Sequence, residues 1–272
     1  MFTEGQNVSM IKVEISDEQI HEYASGVSAG DVLDNVFGKR YGAVAAVVDG
    51  IQKDMSFILD SDCKIEAILG ESEEGLYILR HSCAHLLAQA VMEMFPEAKP
   101  TIGPPINHGF YYDFYMDPIG DSELKELEKR MNKLVRSNIK IEREEHENNV
   151  LRDMFSDNNF KIEIMDDKIG QDVGSSAYRQ GDFVDLCRGP HVPSTSHLRW
   201  FKLTNTSQAY WRADRNREPL TRIYGMCYAT KEGLKERQRQ IEEAAKRDHK
   251  KIGKEMELYM IDELIGKGLP VW

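Results

Sequence analysis

The sequence predicts an α+β protein of two folded modules followed by a charged helix. Three observations carry this. Residues 8–70 hold short apolar strand patterns around one short helix, and residues 76–228 combine helical stretches with several strands of period two. From Lys231 the chain becomes helical and densely charged. Its 272 residues suit two or three domains, and a hydrophobic content of 41% supplies real cores.

In the first module, Val8–Ile15 alternates as a strand and Ala29–Phe37 reads as a short helix with Asp31 near its start. Ala43–Gly50 is an apolar strand closed by an Asp-Gly turn, and Cys63–Leu69 is a further strand. Three or more strands and one helix in about sixty residues predict a small ubiquitin-like α+β fold. Glu71–Gly75 reads as a polar linker.

The second module opens on Leu79–Phe95, a stretch without Gly or Pro that ends at Pro96. Leu87, Val91 and Met94 recur there at helical spacing. Residues 102–115 read as a turn into an aromatic strand, and 122–138 as a helix capped by Asp121 or Ser122, with Leu124, Leu127, Met131 and Leu134 on one face. Strands are predicted at 160–165, 183–187, 199–203, 208–212 and 221–228, giving a largely antiparallel sheet. In the charged helix, Glu242/Lys246 and Glu243/Arg247 are i,i+4 pairs with the acid N-terminal.

The chemistry concentrates in two clusters, His81-Ser-Cys-Ala-His85 and Cys187-Arg-Gly-Pro-His191. On a helix His81 and His85 share one face. The second cluster cannot be helical, because Gly189-Pro190 interrupts it. It follows a predicted strand on which Asp185 and Cys187 point to one side. Three imidazoles, a thiol and a neighbouring carboxylate, brought together by folding, can hold a tetrahedral zinc or build a water-activating hydrolytic pocket. The residues leave both open, although the usual CxxC knuckle of zinc sites is absent.

Charge and composition bound the partners. No apolar run approaches the ~18–20 residues of a membrane span. Met1–Gln6 lacks the regions of a secretory leader, and Cys63, Cys83, Cys187 and Cys227 form no framework spacing, which predicts a reducing, cytoplasmic setting. The net charge is −11, yet residues 175–251 carry 16 Lys and Arg against 9 Asp and Glu, while the remainder carries 19 against 37. A basic C-terminal third on an acidic body can face a polyanion.

Several longer words carry a family likeness. Arg80–Leu87, Ile102-Gly-Pro-Pro105, Gly109-Phe-Tyr-Tyr-Asp113, Val184–Pro193 and Ala244–Lys251 closely resemble threonyl-tRNA synthetases of the bacterial and eukaryotic type, in order and over nearly the whole chain. The His-x-x-x-His and Cys-x-x-x-His pair is shared with alanyl-tRNA editing domains, but the flanking words point to the threonine enzyme. The resemblance implies a TGS-type β-grasp domain over 1–70, an editing domain over 76–228, a linker helix over 229–251 and the start of a class II catalytic domain over 252–272. The chain then carries no motif for ATP or threonine activation. ATP, magnesium and zinc would belong to that catalytic domain, as would formation of a homodimer.

The implied activity is hydrolysis of mischarged seryl-tRNA(Thr), with tRNA(Thr) as partner and no cofactor at the editing site. The alternatives are a non-catalytic tRNA-binding piece whose His/Cys cluster is a structural zinc site, and a free-standing trans-editing protein. The helical C-terminus running into a catalytic-domain-like segment disfavours the last. By the resemblance, His81 and His85 orient the terminal ribose and the attacking water. Lys161, placed on the predicted strand 160–165, lies near the scissile ester, where its ammonium stabilises a developing oxyanion. Asp185 accepts from the substrate amine or a histidine, Cys187 and His191 line the pocket, and Tyr112 belongs to the serine pocket. Arg215 and Arg217, within the basic stretch Arg199–Lys251 that also holds Arg212, Lys246 and Arg247, are expected to contact tRNA phosphates.

Overall fold

A computed structural model describes residues 9–15, 19–39, 41–167, 176–247, 256, 260–261 and 270–271. The chain divides into two compact units, Met1–Ala229 and Thr230–Trp272. The first contains both predicted modules.

It opens with β1 (Met10–Ile15), β2 (Gln19–Ala24), β3 (Val27–Ser28), α1 (Ala29–Phe37), β4 (Ala43–Val48), β5 (Ile51–Lys53), β6 (Ile58–Leu59) and β7 (Cys63–Leu69). Five strands form one sheet in the order β2-β1-β7-β4-β5. β1 and β7 pair in parallel and the other neighbours are antiparallel. The alternating Ile11, Val13 and Ile15 join Val32 and Leu33 of α1 in one core. Ser28 caps α1, its hydroxyl accepting from Asp31 N at 3.1 Å. The Asp49-Gly50 turn has positive φ at both residues, as a two-residue hairpin between β4 and β5 requires. The run Ala43–Val48 does not alternate because β4 is covered on both faces. Ala46 and Val48 pack with α1, whereas Val44 and Ala45 join the core of the following domain.

That larger core is organised around α2 (Glu73–Met94). The helix begins six residues before the predicted Leu79, so most of the expected polar linker is its first turn. Ser72 is the cap, its side chain accepting from Gly75 N at 3.0 Å. Nearly every residue from Ile78 to Val91 is buried, as befits a helix apolar on all sides. Around it lie β8 (Lys99–Pro100), β9 (Pro105–Ile106), β10 (Gly109–Tyr115), α3 (Asp121–Arg136), β11 (Ile141–Glu145), α4 (Asn148–Met154), α5 (Asn159–Asp166), β12 (Ser176–Gln180), β13 (Phe183–Leu186), β14 (Trp200–Tyr210) and β15 (Pro219–Tyr228). One antiparallel sheet runs β14-β15-β10-β8, with β9 also on β10, and a second runs β11-β12-β13.

Three local predictions are corrected. Residues 160–165 are the helix α5, not a strand: Asn158 caps it by accepting from Phe160 N at 3.1 Å, a start signal that outweighs the β-branched run. The strands expected at 199–203 and 208–212 are one strand, β14, irregular between Leu203 and Asn205. At α3 the N-cap is Gly120, not Asp121 or Ser122, and its N–H donates to Glu123 at 3.1 Å. In the second module β8, β11, α4 and β12 match no predicted element, each being too short to show a clear period.

In the second unit, α6 (Lys231–Lys246) starts at Thr230, whose hydroxyl accepts from Gly233 N at 3.2 Å. It has no buried residue, and its surface carries the pairs Arg239–Glu236 and Arg247–Glu243. Two short strands, β16 (Met260–Ile261) and β17 (Pro270–Val271), pair antiparallel. The rest of the predicted linker and catalytic start, 248–255 and most of 257–272, lies outside the described residues.

Candidate hydrolytic site

Two sequence-distant segments meet where α2 passes the loop after β13. One face of α2 presents His81 and His85, with imidazole centroids 5.3 Å apart. The loop returns His191 against both, at 4.5 Å from His81 and 4.3 Å from His85. Cys187 Sγ lies 3.3 Å from His81 Nε2 and 3.2 Å from His191 Nε2. Each of His81, His85, Cys187 and His191 offers one donor atom, and these four atoms all lie within 4.8 Å of one another. The predicted pair of clusters is therefore one site. His81 and Cys187 are partly exposed and mark its open side, while His85 and His191 are buried.

Behind this group sits a buried polar triad. Asp185 on β13 is 1% exposed, Lys161 3% and Tyr112 1%. Lys161 and Asp185 form an ion pair. Tyr112 donates its hydroxyl to Asp185 Oδ2 at 2.5 Å, and Lys161 Nζ donates to the same hydroxyl at 3.2 Å. His85 Nε2 lies 3.7 Å from Asp185 Oδ2, linking the triad to the histidines. Lys161 reaches this point from the first turn of α5. Lys161, expected on a strand, sits on a helix.

Burial sets the charge states. It lowers His81 to about 3, helped by neighbouring His85. It lowers His85 to about 4, with Asp185 opposing and Lys161 reinforcing. His191 is also held well below the ordinary value, by burial and then by the other two rings. The Cys187 thiol is pushed up to about 12 by burial, partly offset by the Gly189 N–H that donates to its sulfur. Burial opposes the Asp185 charge, but Lys161 and His85 hold its carboxyl below the usual carboxylate range. The site at neutral pH thus contains three neutral imidazoles, a thiol and one internal ion pair. Neutral imidazoles can accept a hydrogen bond from water, and values this far below neutrality make them weak proton acceptors.

The donor set also suits zinc. For bonds of roughly 2.0–2.3 Å, tetrahedral ligand atoms stand about 3.5 Å apart, close to the two sulfur–nitrogen distances here. Ser82 Oγ lies 3.0 Å from His191 Nδ1, a partner on the far side of the ring that fixes its orientation.

Three supporting residues were not foreseen. Ser82 lies inside the first cluster and also accepts from Val192 N at 3.1 Å. Tyr178 packs its ring 4.4 Å from that of His191. Asp54, from the first module, accepts from both Tyr178 and the His191 backbone. Only the position of Ser82 in the motif offered a signal.

The two predicted RNA-contacting arginines stand apart from the triad and differ from each other. Arg215 is exposed at the turn before β15. Arg217 donates to Glu163 at 2.8 Å and also pairs with Glu218. Arg212 pairs with the same Glu163, at 2.7 Å, and with Asp167. Glu163 of α5 and the adjoining Asp167 therefore hold two arginines of this stretch, Arg212 and Arg217.

Residues 176–224 match the family described as the threonyl and alanyl tRNA synthetase second additional domain. β13, the loop after it and β14 lie within the match. Along its whole course the chain is similar to threonine–tRNA ligases. It is 42% identical to that of Pelobacter propionicus over 269 residues, 43% to that of an Exiguobacterium species over 270, and 40% to that of Staphylococcus aureus over 267. Each likeness covers 97% of this chain and 41–42% of the relative. The chain thus spans about two-fifths of the length of the curated relatives it matches. Among the described residues no helix is long and apolar enough to cross a membrane.

Proposed function

We propose that this chain hydrolyses the ester of mischarged seryl-tRNA(Thr), acting as the editing part of a threonine–tRNA ligase. One observation carries the reading. Neutral imidazoles and a thiol stand against a buried Lys161–Asp185–Tyr112 triad, and Asp185, Cys187 and His191 lie in the segment that matches the synthetase second additional domain. A synthetic site cannot reject serine strongly, because one missing methyl is worth only ~1–3 kcal/mol. A second pocket that excludes threonine removes the error.

In this reading water attacks the ester carbonyl carbon. His81 at the open side, with His85 beside it, orients that water, and the proton the water loses passes to the departing ribose oxygen. The Lys161 ammonium faces the developing oxyanion, and Asp185 holds that ammonium and accepts from the serine amine. Tyr112 fixes Asp185 and closes the pocket floor. Residues 1–70 act as a TGS-type β-grasp domain, 76–228 as the editing domain and 229–251 as the linker helix, with 252–272 beginning a class II catalytic domain. The complete cytoplasmic protein would charge tRNA(Thr) as a homodimer, drawing ATP, magnesium and zinc to parts outside this chain.

The test is deacylation of Ser-tRNA(Thr) and Thr-tRNA(Thr) side by side. Loss of serine with retention of threonine is expected. Equal release of both, or of neither, sinks the reading.

A second reading is favoured by the four donors within 4.8 Å: a structural zinc in a non-catalytic RNA-binding piece. Stoichiometric zinc surviving dialysis, with cooperative unfolding on chelation and no deacylation, would establish it.

A further inference from the structure

We propose that Asp54, in the loop between β5 and β6 of the first module, is a positioning residue for the Cys187–His191 loop, so that the first module completes the hydrolytic site. The inference rests on the editing reading for its activity assay and on geometry alone for its second readout. Asp54 Oδ1 accepts from His191 N at 2.8 Å, and Oδ2 accepts from the Tyr178 hydroxyl at 2.7 Å. One carboxylate thus holds the backbone of His191 and the ring that packs against its imidazole.

The two contacts converge on a tight loop. Gly189 has φ of +71°, and a Cβ there would stand 1.8 Å from the Tyr178 oxygen, so the loop passes in direct contact with that hydroxyl. Arg143 Nη1 steadies the next turn by donating to the Arg188 carbonyl at 3.1 Å. The Asp54 loop is itself anchored, since Met55 O and Phe57 O accept from Gly30 N and Ala29 N at the start of α1, at 2.7 and 2.8 Å. A residue fixed to one module therefore grips the ligand-bearing loop of the other. Without that acceptor the His191 N–H loses its partner, and Cys187 and His191 lose their common register.

The experiment uses the full chain carrying Asp54→Ala, Asp54→Asn or Tyr178→Phe. Steady-state deacylation of Ser-tRNA(Thr) gives kcat and KM, and iodoacetamide labelling read at the Cys187 peptide gives loop exposure. Asp54→Ala is expected to lower kcat about 100-fold, as a displacement near 1 Å does, with KM little changed. Cys187 labelling should rise about tenfold or more as the loop opens. Asp54→Asn keeps an accepting oxygen and should restore both quantities to within about threefold, on the order of side-chain hydrogen-bond losses. Tyr178→Phe removes one contact, and should fall between the two; it carries the test if Asp54→Ala does not fold. Unchanged kcat and labelling in Asp54→Ala, or equal defects in Asp54→Ala and Asp54→Asn, overturn the proposal. If the unsubstituted chain leaves Ser-tRNA(Thr) intact, the editing reading fails, and the labelling rates alone decide the clamp.

Discussion

Acidification should strip stability from this fold in a way that traces to His85. Its folded value is about 4, lowered chiefly by burial, while in the unfolded chain a histidine titrates near ~6.5. A folded value below the unfolded one means the unfolded state binds the extra proton. The stabilisation is therefore full above about pH 6.5 and is lost as pH falls toward the folded value. Between pH 7 and pH 5 the unfolded ring gains its proton almost completely and the folded ring scarcely at all. At about 1.4 kcal/mol per pH unit over the ~1.5 units below 6.5, the loss is about 2 kcal/mol. His81, lowered to about 3, and His191 act in the same sense.

The assay is urea denaturation at pH 7 and pH 5 with a chelator present, for the unsubstituted chain and for His85→Gln. The variant should lose about 2 kcal/mol less than the unsubstituted chain over that step. An identical loss in both proteins would mean that the folded ring titrates normally, and the argument from burial would be wrong.

Three further outcomes follow from the same geometry. Lys161→Met leaves the Asp185 carboxylate buried without its cation, and should destabilise by about 3–5 kcal/mol in chemical denaturation. Adding Asp185→Asn should recover part of that loss, and a strictly additive double variant would deny the pairing. Gly103→Ala places a Cβ 2.2 Å from the Tyr112 ring. Because Tyr112 is fully buried, overpacking should cost about 1–3 kcal/mol in the same assay, and a neutral result would show that the ring can move. For RNA, charge reversal at Arg215 should weaken tRNA binding more than reversal at Arg217, whose guanidinium is already held by Glu163. Filter binding across salt should give a log–log slope of about −0.7 to −0.9 per phosphate contact, and equal effects at the two positions would place the RNA surface elsewhere.

What the sequence determined by itself was whatever local pattern encodes. The period of Met10–Ile15, the Asp49-Gly50 turn, the extent of β7 and the shared helical face of His81 and His85 are all set by neighbours within one or two turns. The four donor residues that converge were equally legible, because they come as two compact words, His81 to His85 and Cys187 to His191. The motif singles out Lys161 but hides its helix: Phe160–Met165 has strand-like composition, and only the Asn158 cap and burial of Phe160 and Lys161 favour the helix. Tertiary structure alone decided the rest. No local rule states that β4 is covered on both faces, that the polar stretch before Leu79 starts a helix, or that Glu163 occupies Arg217. Above all, nothing near Asp54 in sequence points to His191, 137 residues away. Such a contact exists only after the first sheet has packed on α2, because a hydrogen bond of about 3 Å needs both partners fixed by cores that neither segment contains.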